Sequence, residues 1–234
     1  MRPLRAVVFD VDGTLVDSER DGHRVAFNAA FEEAGLPDRW DVATYGTLLR
    51  IAGGERRLAF WFEASGRLPG EARELAARLH PQKTRLMREL VEAGRIAPRP
   101  GARELLAELA AHGVAVHVAT TGTRAWVEPL LDTAFGPCFT TVVTGTEVPD
   151  LKPSPAVYER VLTLTGLAPH ETVAVEDSAN GVRAAVAAGL RCLAARNAYT
   201  ADDDFSGASV DATGLDDPRL VGWVRGRLPA GPGG

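Results

Sequence analysis

Apolar positions recur along this chain in two rhythms, and the change from one to the other divides it. Short β-type runs, "LRAVVF" (4–9), "VAVHVAT" (114–120), "FTTVVT" (139–144), "TVAVED" (172–177) and "LRCLAA" (190–195), are each followed by a turn and a helical pattern. Strands alternating with helices predict a parallel sheet wrapped by helices, a Rossmann-like α/β core. Between Ser18 and Ala93 the strand signal disappears. There "RVAFNAAFEEAG" puts Val25, Phe27, Ala30, Phe31 and Ala34 largely on one helix face, and "EARELAARLHPQKTRLMRELVEAG" continues the theme. Pro98 and Pro100 mark the return, and Gly101 opens a helix that ends at Gly113. The pattern predicts a core domain made of residues 1–17 and 94–234, with an all-helical cap domain, 18–93, inserted after the first strand. The closing "LPAGPGG" has little apolar content to pack and is expected to fray.

Composition narrows the partners. With 45% hydrophobic and 24% charged residues, the chain can bury a sizeable core. A formal net charge of -5 offers no broad basic face, so neither nucleic acid nor an anionic membrane is expected to bind. No apolar run approaches the roughly 20 residues of a bilayer span, and the N-terminus enters a strand without a signal-peptide pattern, so a cytoplasmic protein is expected. Cys138 and Cys192 stand in apolar surroundings without metal-type spacing and read as buried thiols. Of 26 basic residues only Lys83 and Lys152 are lysine.

Ligands of open parallel sheets bind beyond the carboxyl ends of the strands. In this chain those positions are polar. "VVFDVDGTLVDSE" ends the first strand on Asp10 and Asp12; the second delivers Thr120 and Thr121; the "TEVPDLKPSP" loop brings Lys152; the fourth strand ends on Glu176 and Asp177. The Asp-x-Asp-Gly could be only a turn. A calcium loop would need a third ligand before the glycine, which is missing. Clustered carboxylates repel one another unless a cation sits among them, and oxygen ligands suit magnesium. Magnesium, a lysine and a hydroxyl would make a cradle for a phosphoryl group. Asp10 could attack phosphorus, and Asp12 could protonate the leaving oxygen and later accept a proton from water.

"DVDGT", "ATTGT", "KPSP" and "VEDSANG", in this order, resemble the haloacid-dehalogenase superfamily of aspartate-nucleophile phosphatases, in the branch whose helical cap follows the first strand. The resemblance implies Asp10 as nucleophile, Asp12 as acid/base, Thr120 on the phosphate, and Lys152 bridging phosphate and nucleophile. It implies Mg2+ held by Asp177, helped by Glu176, with Asp10 and the Asp12 carbonyl. "SERDGHRVAFNAAFEEAGL", "WDVATYGTLLRIAGGERR", "GRIAPRPGARELL" and "YTADDDFSGAS" are similar to CbbY-like proteins, which include phosphatases of xylulose 1,5-bisphosphate. By that likeness His23 and Arg57 face the substrate, Arg57 on a second phosphate, with Gly53 and Gly54 allowing close backbone approach and Asp17 and Ser18 at the hinge beside the leaving group; Thr121, at the end of the second strand, is also expected to bind substrate. Departures from the pattern are Glu55 and Leu151 in place of lysines and Asp17 where glutamate is frequent.

The implied activity is hydrolysis of a small phosphorylated sugar, a pentulose bisphosphate, by a monomer. Alternatives are a sugar phosphomutase of the β-phosphoglucomutase kind, a phosphoglycolate phosphatase, or a noncatalytic phosphate-binding protein. A phosphonate-cleaving relative would need a cap lysine, for which Lys83 is the sole candidate. Blander readings compete at several positions. His23 could be structural, and for Arg57, as for Arg56, exposure is the default. His117 reads as a core histidine, His80 and His112 as surface residues at helix ends, Trp40 and Trp61 as packing, and "DDDF" (202–205) as a solvated acidic turn.

Overall fold

A computed structural model describes residues 3–51 and 53–230; residues 231–234 of the tail expected to fray lie outside them. Its elements run β1 (Ala6–Phe9), α1 (Arg24–Glu33), α2 (Val42–Leu48), α3 (Gly54–Ala64), α4 (Pro69–Glu92), α5 (Ala102–Ala111), β2 (Ala115–Ala119), α6 (Arg124–Phe135), β3 (Thr141–Val143), α7 (Ala156–Thr165), β4 (Thr172–Glu176), α8 (Ala179–Ala187), β5 (Arg191–Ala195), β6 (Val210–Ala212) and α9 (Pro218–Arg225). Two compact units result, the described parts of Met1–Asp17 with Ala97–Gly234, and Ser18–Ile96.

The first unit holds one parallel six-stranded sheet in the order β3-β2-β1-β4-β5-β6. Its central strands are buried along their whole length, β1 as AVVF and β4 as TVAVE, which is the near-continuous apolar run that a sheet covered on both faces requires. The order reverses direction at β1 and β4, where an open sheet leaves its ligand crevice. Register aligns the strand ends there: Phe9 lies opposite Val118 on one side and Val175 on the other. Asp10 and Glu176 therefore emerge at one level, with Thr120 one residue further along its strand. Two expectations need correction. The run 139–144 pairs only over Thr141–Val143, and β6 carried no strand signal, because its three residues, Val-Asp-Ala, have an exposed aspartate at the centre.

The second unit is all-helical. A π-helical turn, Glu19–His23, leads into α1, which buries Phe27, Ala30 and Phe31. Trp40 is the hub of an aromatic core, with ring centroids 4.7 Å from Phe27 and 5.0 Å from Phe31. Asn28 fixes it by accepting from the Trp40 N–H and donating to its carbonyl, both at 2.8 Å. His80, expected at a helix end, lies instead half-buried within α4. Cys192 is buried and Cys138 half-buried.

Candidate active site

The carboxyl rim of the sheet gathers a tight ionic cluster. Asp10 follows β1 and is anchored by its N–H to the Val175 carbonyl at 3.0 Å. Lys152 reaches in from the loop after β3, and its ammonium lies 2.6 Å from Asp10 Oδ1, 2.6 Å from Glu176 Oε1 and 2.8 Å from the Ala119 carbonyl. Three acceptors match the three N–H donors of an ammonium. Glu176 Oε1 also accepts from the Tyr158 hydroxyl at 2.5 Å. Thr120 is buried at the end of β2, and its hydroxyl accepts from the Gly122 N–H at 3.0 Å. Asp177 Oδ1 accepts from Thr14 Oγ1 at 3.3 Å, and Oδ2 from Asn197 Nδ2 at 2.6 Å.

Two glycines make this closeness possible. Gly13 has φ +84°, and a Cβ there would stand 2.2 Å from Asp177 Oδ2. A side chain would be both strained and obstructed. At Gly181, in the first turn of α8, a Cβ would lie 1.9 Å from Glu176 Oε2. Half-buried Asp12 precedes Gly13 in the turn after β1, whose backbone is closed by the Gly13 N–H donating to the Val16 carbonyl at 2.8 Å.

Burial raises the proton affinity of Glu176 and Asp177, and the neighbouring Asp10 charge adds to it. Lys152 shows the reverse balance: burial alone would strip its proton, but the Asp10 and Glu176 carboxylates outweigh this and raise its pKa. Lys152 among the carboxylates and Arg99 near Asp177 do not balance three buried acids. Oxygen atoms of Asp10, Glu176 and Asp177 lie within 4.8 Å of one another, so the cluster could hold a divalent cation on hard oxygen ligands.

The remaining residues singled out in the sequence are distributed between the units. In the first, Asp17 is half-buried and Thr121 exposed. Ser18, in the second, is fully buried. His23 Nδ1 lies 2.8 Å from Lys83 Nζ, and burial, then the charges of Lys83, Arg57 and His80, lower its pKa. Gly53 is exposed with φ +89°, and Gly54 opens α3 beside the His80 ring. Arg57 corrects the default of an exposed arginine: it is 8% exposed, and donates to the Leu48 carbonyl, the Tyr45 hydroxyl and the Ile51 carbonyl at 3.0, 3.1 and 3.3 Å. Arg56 is the exposed one of the pair. The "DDDF" turn is more than a solvated run, since Asp203 Oδ2 accepts from the Ala179 N–H at the start of α8.

Sequence reasoning missed Tyr158, Asn197 and Arg99. Asn197 had a usable signal, because it stands just past β5, where the strand-end rule would have found it. Tyr158 had none, since an aromatic on α7 reads as packing. Arg99 lies beyond any strand end.

A family model described as haloacid dehalogenase-like hydrolase matches residues 4–189. Protein CbbY of Rhodobacter capsulatus is 42% identical over 209 residues, covering 88% of this chain and 91% of that protein. The crystal structure of CbbY from Rhodobacter sphaeroides in complex with phosphate superposes with a TM-score of 0.78 at 36% identity, covering 92% of this chain and 96% of that one. An aspartate-to-asparagine variant of that protein, in complex with xylulose 1,5-bisphosphate, gives 0.76 at 36% identity, covering 91% and 95%. On these matches the chain belongs to the haloacid dehalogenase-like hydrolases and is, within them, a CbbY-like phosphatase.

Proposed function

We propose that the protein is a magnesium-dependent phosphatase that uses Asp10 as nucleophile and hydrolyses a small sugar phosphate, a pentulose bisphosphate such as xylulose 1,5-bisphosphate. The observation that carries the chemistry is the meeting of Asp10, Lys152 and two further buried carboxylates on one rim of the sheet. The substrate assignment is supported by the solved relative that holds xylulose 1,5-bisphosphate.

Asp10 attacks phosphorus in line, and the bond to the sugar oxygen breaks. Asp12 gives that oxygen its proton, then takes one from the water that hydrolyses the aspartyl phosphate, so both carboxylates return to their starting state. Lys152 and Thr120 hold the transferring group. Asp10, Asp177, Glu176 and the Asp12 carbonyl would hold magnesium, which when bound would supply positive charge to the transferring phosphoryl group. Asp17, Ser18, His23, Gly53, Gly54 and Thr121 are the proposed substrate contacts. Arg57 is proposed for the distal phosphate, using the two N–H groups left by its three bonds inside the helical unit.

The test is an assay of the purified protein with magnesium against xylulose 1,5-bisphosphate, 2-phosphoglycolate and β-glucose 1-phosphate, following phosphate release and sugar product together. Preferred release of phosphate from the pentulose bisphosphate is expected. Isomerisation without net phosphate would replace the phosphatase by a mutase, and preference for 2-phosphoglycolate would overturn the substrate assignment.

A further inference from the structure

The turn that carries Asp12 is fastened from outside by a residue with no place in the mechanism above. Arg99 Nη1 donates to the carbonyls of Gly13 and Ala195, the latter at 3.1 Å, and Nη2 donates to the Arg196 carbonyl at 2.6 Å. Its own N–H donates to the Leu15 carbonyl at 2.9 Å, next to a bridge between Val16 and Pro98. One guanidinium thus ties the residues after β1 to the end of β5. A planar fork suits this task because its donors diverge toward separate carbonyls.

The consequence falls on two successive peptide planes. The Gly13 N–H, bonded to the Val16 carbonyl at 2.8 Å, fixes the plane between Asp12 and Gly13. The Gly13 carbonyl accepts from Arg99 and, at 3.2 Å, from Asn197 Nδ2, which fixes the next plane. The same Asn197 amide donates to Asp177 Oδ2 at 2.6 Å. At φ +84° Gly13 is a point of backbone freedom in this turn, and the second anchor restricts how far its two peptide planes can rotate against each other. Arg99 is itself desolvated, with the Asp177, Asp17 and Asp216 carboxylates favouring its charge, so it stays a cation in a position that costs solvation.

We propose that Arg99, with Asn197 as its partner on the Gly13 carbonyl, is a positioning residue for the phosphatase reaction, holding the Asp12–Gly13 turn and Asp177 in one fixed relation. The inference rests on the phosphatase reading for its kinetic consequence, but the clamp itself is open to a separate measurement.

The experiment compares wild type, Arg99→Lys and Arg99→Ala by amide hydrogen exchange and by steady-state kinetics with magnesium. Lysine keeps the charge but cannot reach three diverging carbonyls. Exchange of the Gly13 N–H is expected to quicken about tenfold in both variants, with the Asp10 N–H as an unchanged internal control. The kcat is expected to fall about 10- to 100-fold while KM stays within about threefold, with partial recovery of Arg99→Ala by added guanidinium. Unchanged exchange at Gly13 would overturn the clamp whatever the activity. Faster exchange with an undiminished kcat would overturn its role in the reaction. If wild type hydrolysed no ester at all, the phosphatase reading would fall, and the exchange result would still decide the clamp.

Discussion

Gly181→Ala sets two opposite effects against each other, and their sizes decide the sign. Alanine in a helix is favoured over glycine by about 1 kcal/mol. Against this, the new Cβ would stand 1.9 Å from Glu176 Oε2 and 2.0 Å from its carboxyl carbon, where real Cβ contacts do not fall below 3.0 Å. The carboxylate must move by roughly 1 Å in an interior packed without slack. It is held by the Tyr158 hydroxyl at 2.5 Å and the Lys152 ammonium at 2.6 Å, so the movement either drives it into these donors or pulls it off them. A hydrogen bond to a charged group contributes about 1.5–3 kcal/mol, so losing one already exceeds the propensity gain. A net destabilisation of about 1–3 kcal/mol is expected, with a loss of kcat because Lys152 loses one of its anchors. Urea unfolding followed by circular dichroism, with phosphate release in parallel, reads both. Gly222→Ala is the control: it lies inside α9, a Cβ there meets nothing within 4 Å, and a gain of up to about 1 kcal/mol is expected. Gly181→Ala as stable as wild type with kcat unchanged would refute the geometry assigned to Glu176.

Asp10→Asn should lower turnover by about 10³-fold or more while the circular dichroism spectrum and melting temperature stay near wild type; appreciable residual hydrolysis would remove Asp10 from its role. Exhaustive chelation should abolish activity and raise sensitivity to heat, and added magnesium should reverse both; chelator-resistant activity would contradict the assignment of Asp177 and Glu176. His117 is 2% exposed in β2 with neither ring nitrogen hydrogen-bonded, and burial lowers its pKa. The unfolded chain therefore takes up a proton more readily below about pH 6.5, and stability is whole above that pH and falls as pH drops, by at most about 1.4 kcal/mol per unit. His117→Val should flatten part of this slope between pH 7.5 and 5.5 in denaturant titrations, and an identical slope would show that the imidazole is solvated.

The core was legible because its strands are apolar throughout and its polar residues stand just past their ends, so the rule that finds strands also points to Asp10, Thr120, Glu176 and Asp177. Lys152 was legible from its place in the "KPSP" loop beyond the third strand, whereas its rarity among arginines alone was compatible with chance. What stayed hidden depends on contacts between distant segments. Tyr158 becomes a partner of Glu176 only because α7 packs on β2 and β3, and Arg99 meets Gly13, Ala195 and Arg196 only after folding. Arg57 reads as a surface residue in "GGERRL", yet α2 and the turn after it present two carbonyls and the Tyr45 hydroxyl to it, which offsets the cost of burying its charge. β6 has too few residues to carry a period.

The distribution of cations follows the same logic of donor geometry. The chain's two lysines are both nearly closed to solvent, Lys83 at 7% exposed and the Lys152 side chain at 5%, although most of its arginines lie at the surface. Arg57 and Arg99 serve where acceptors diverge; Lys152 serves where Asp10, Glu176 and the Ala119 carbonyl converge on one point at 2.6, 2.6 and 2.8 Å. A guanidinium cannot place its charge there, because its nitrogens spread in a plane around a central carbon and the pocket is already lined by the Tyr158 ring at 5.3 Å. Lys152→Arg, which preserves charge, should therefore fail nearly as badly as Lys152→Met, which removes it. Both should lose kcat by at least about 100-fold, and Lys152→Met should in addition cost about 3–5 kcal/mol of stability, because Asp10 and Glu176 are left buried without their cation. Steady-state kinetics on the two variants makes the comparison. If Lys152→Arg kept kcat within about threefold of wild type, charge alone would suffice, and the argument from convergent acceptors would be wrong.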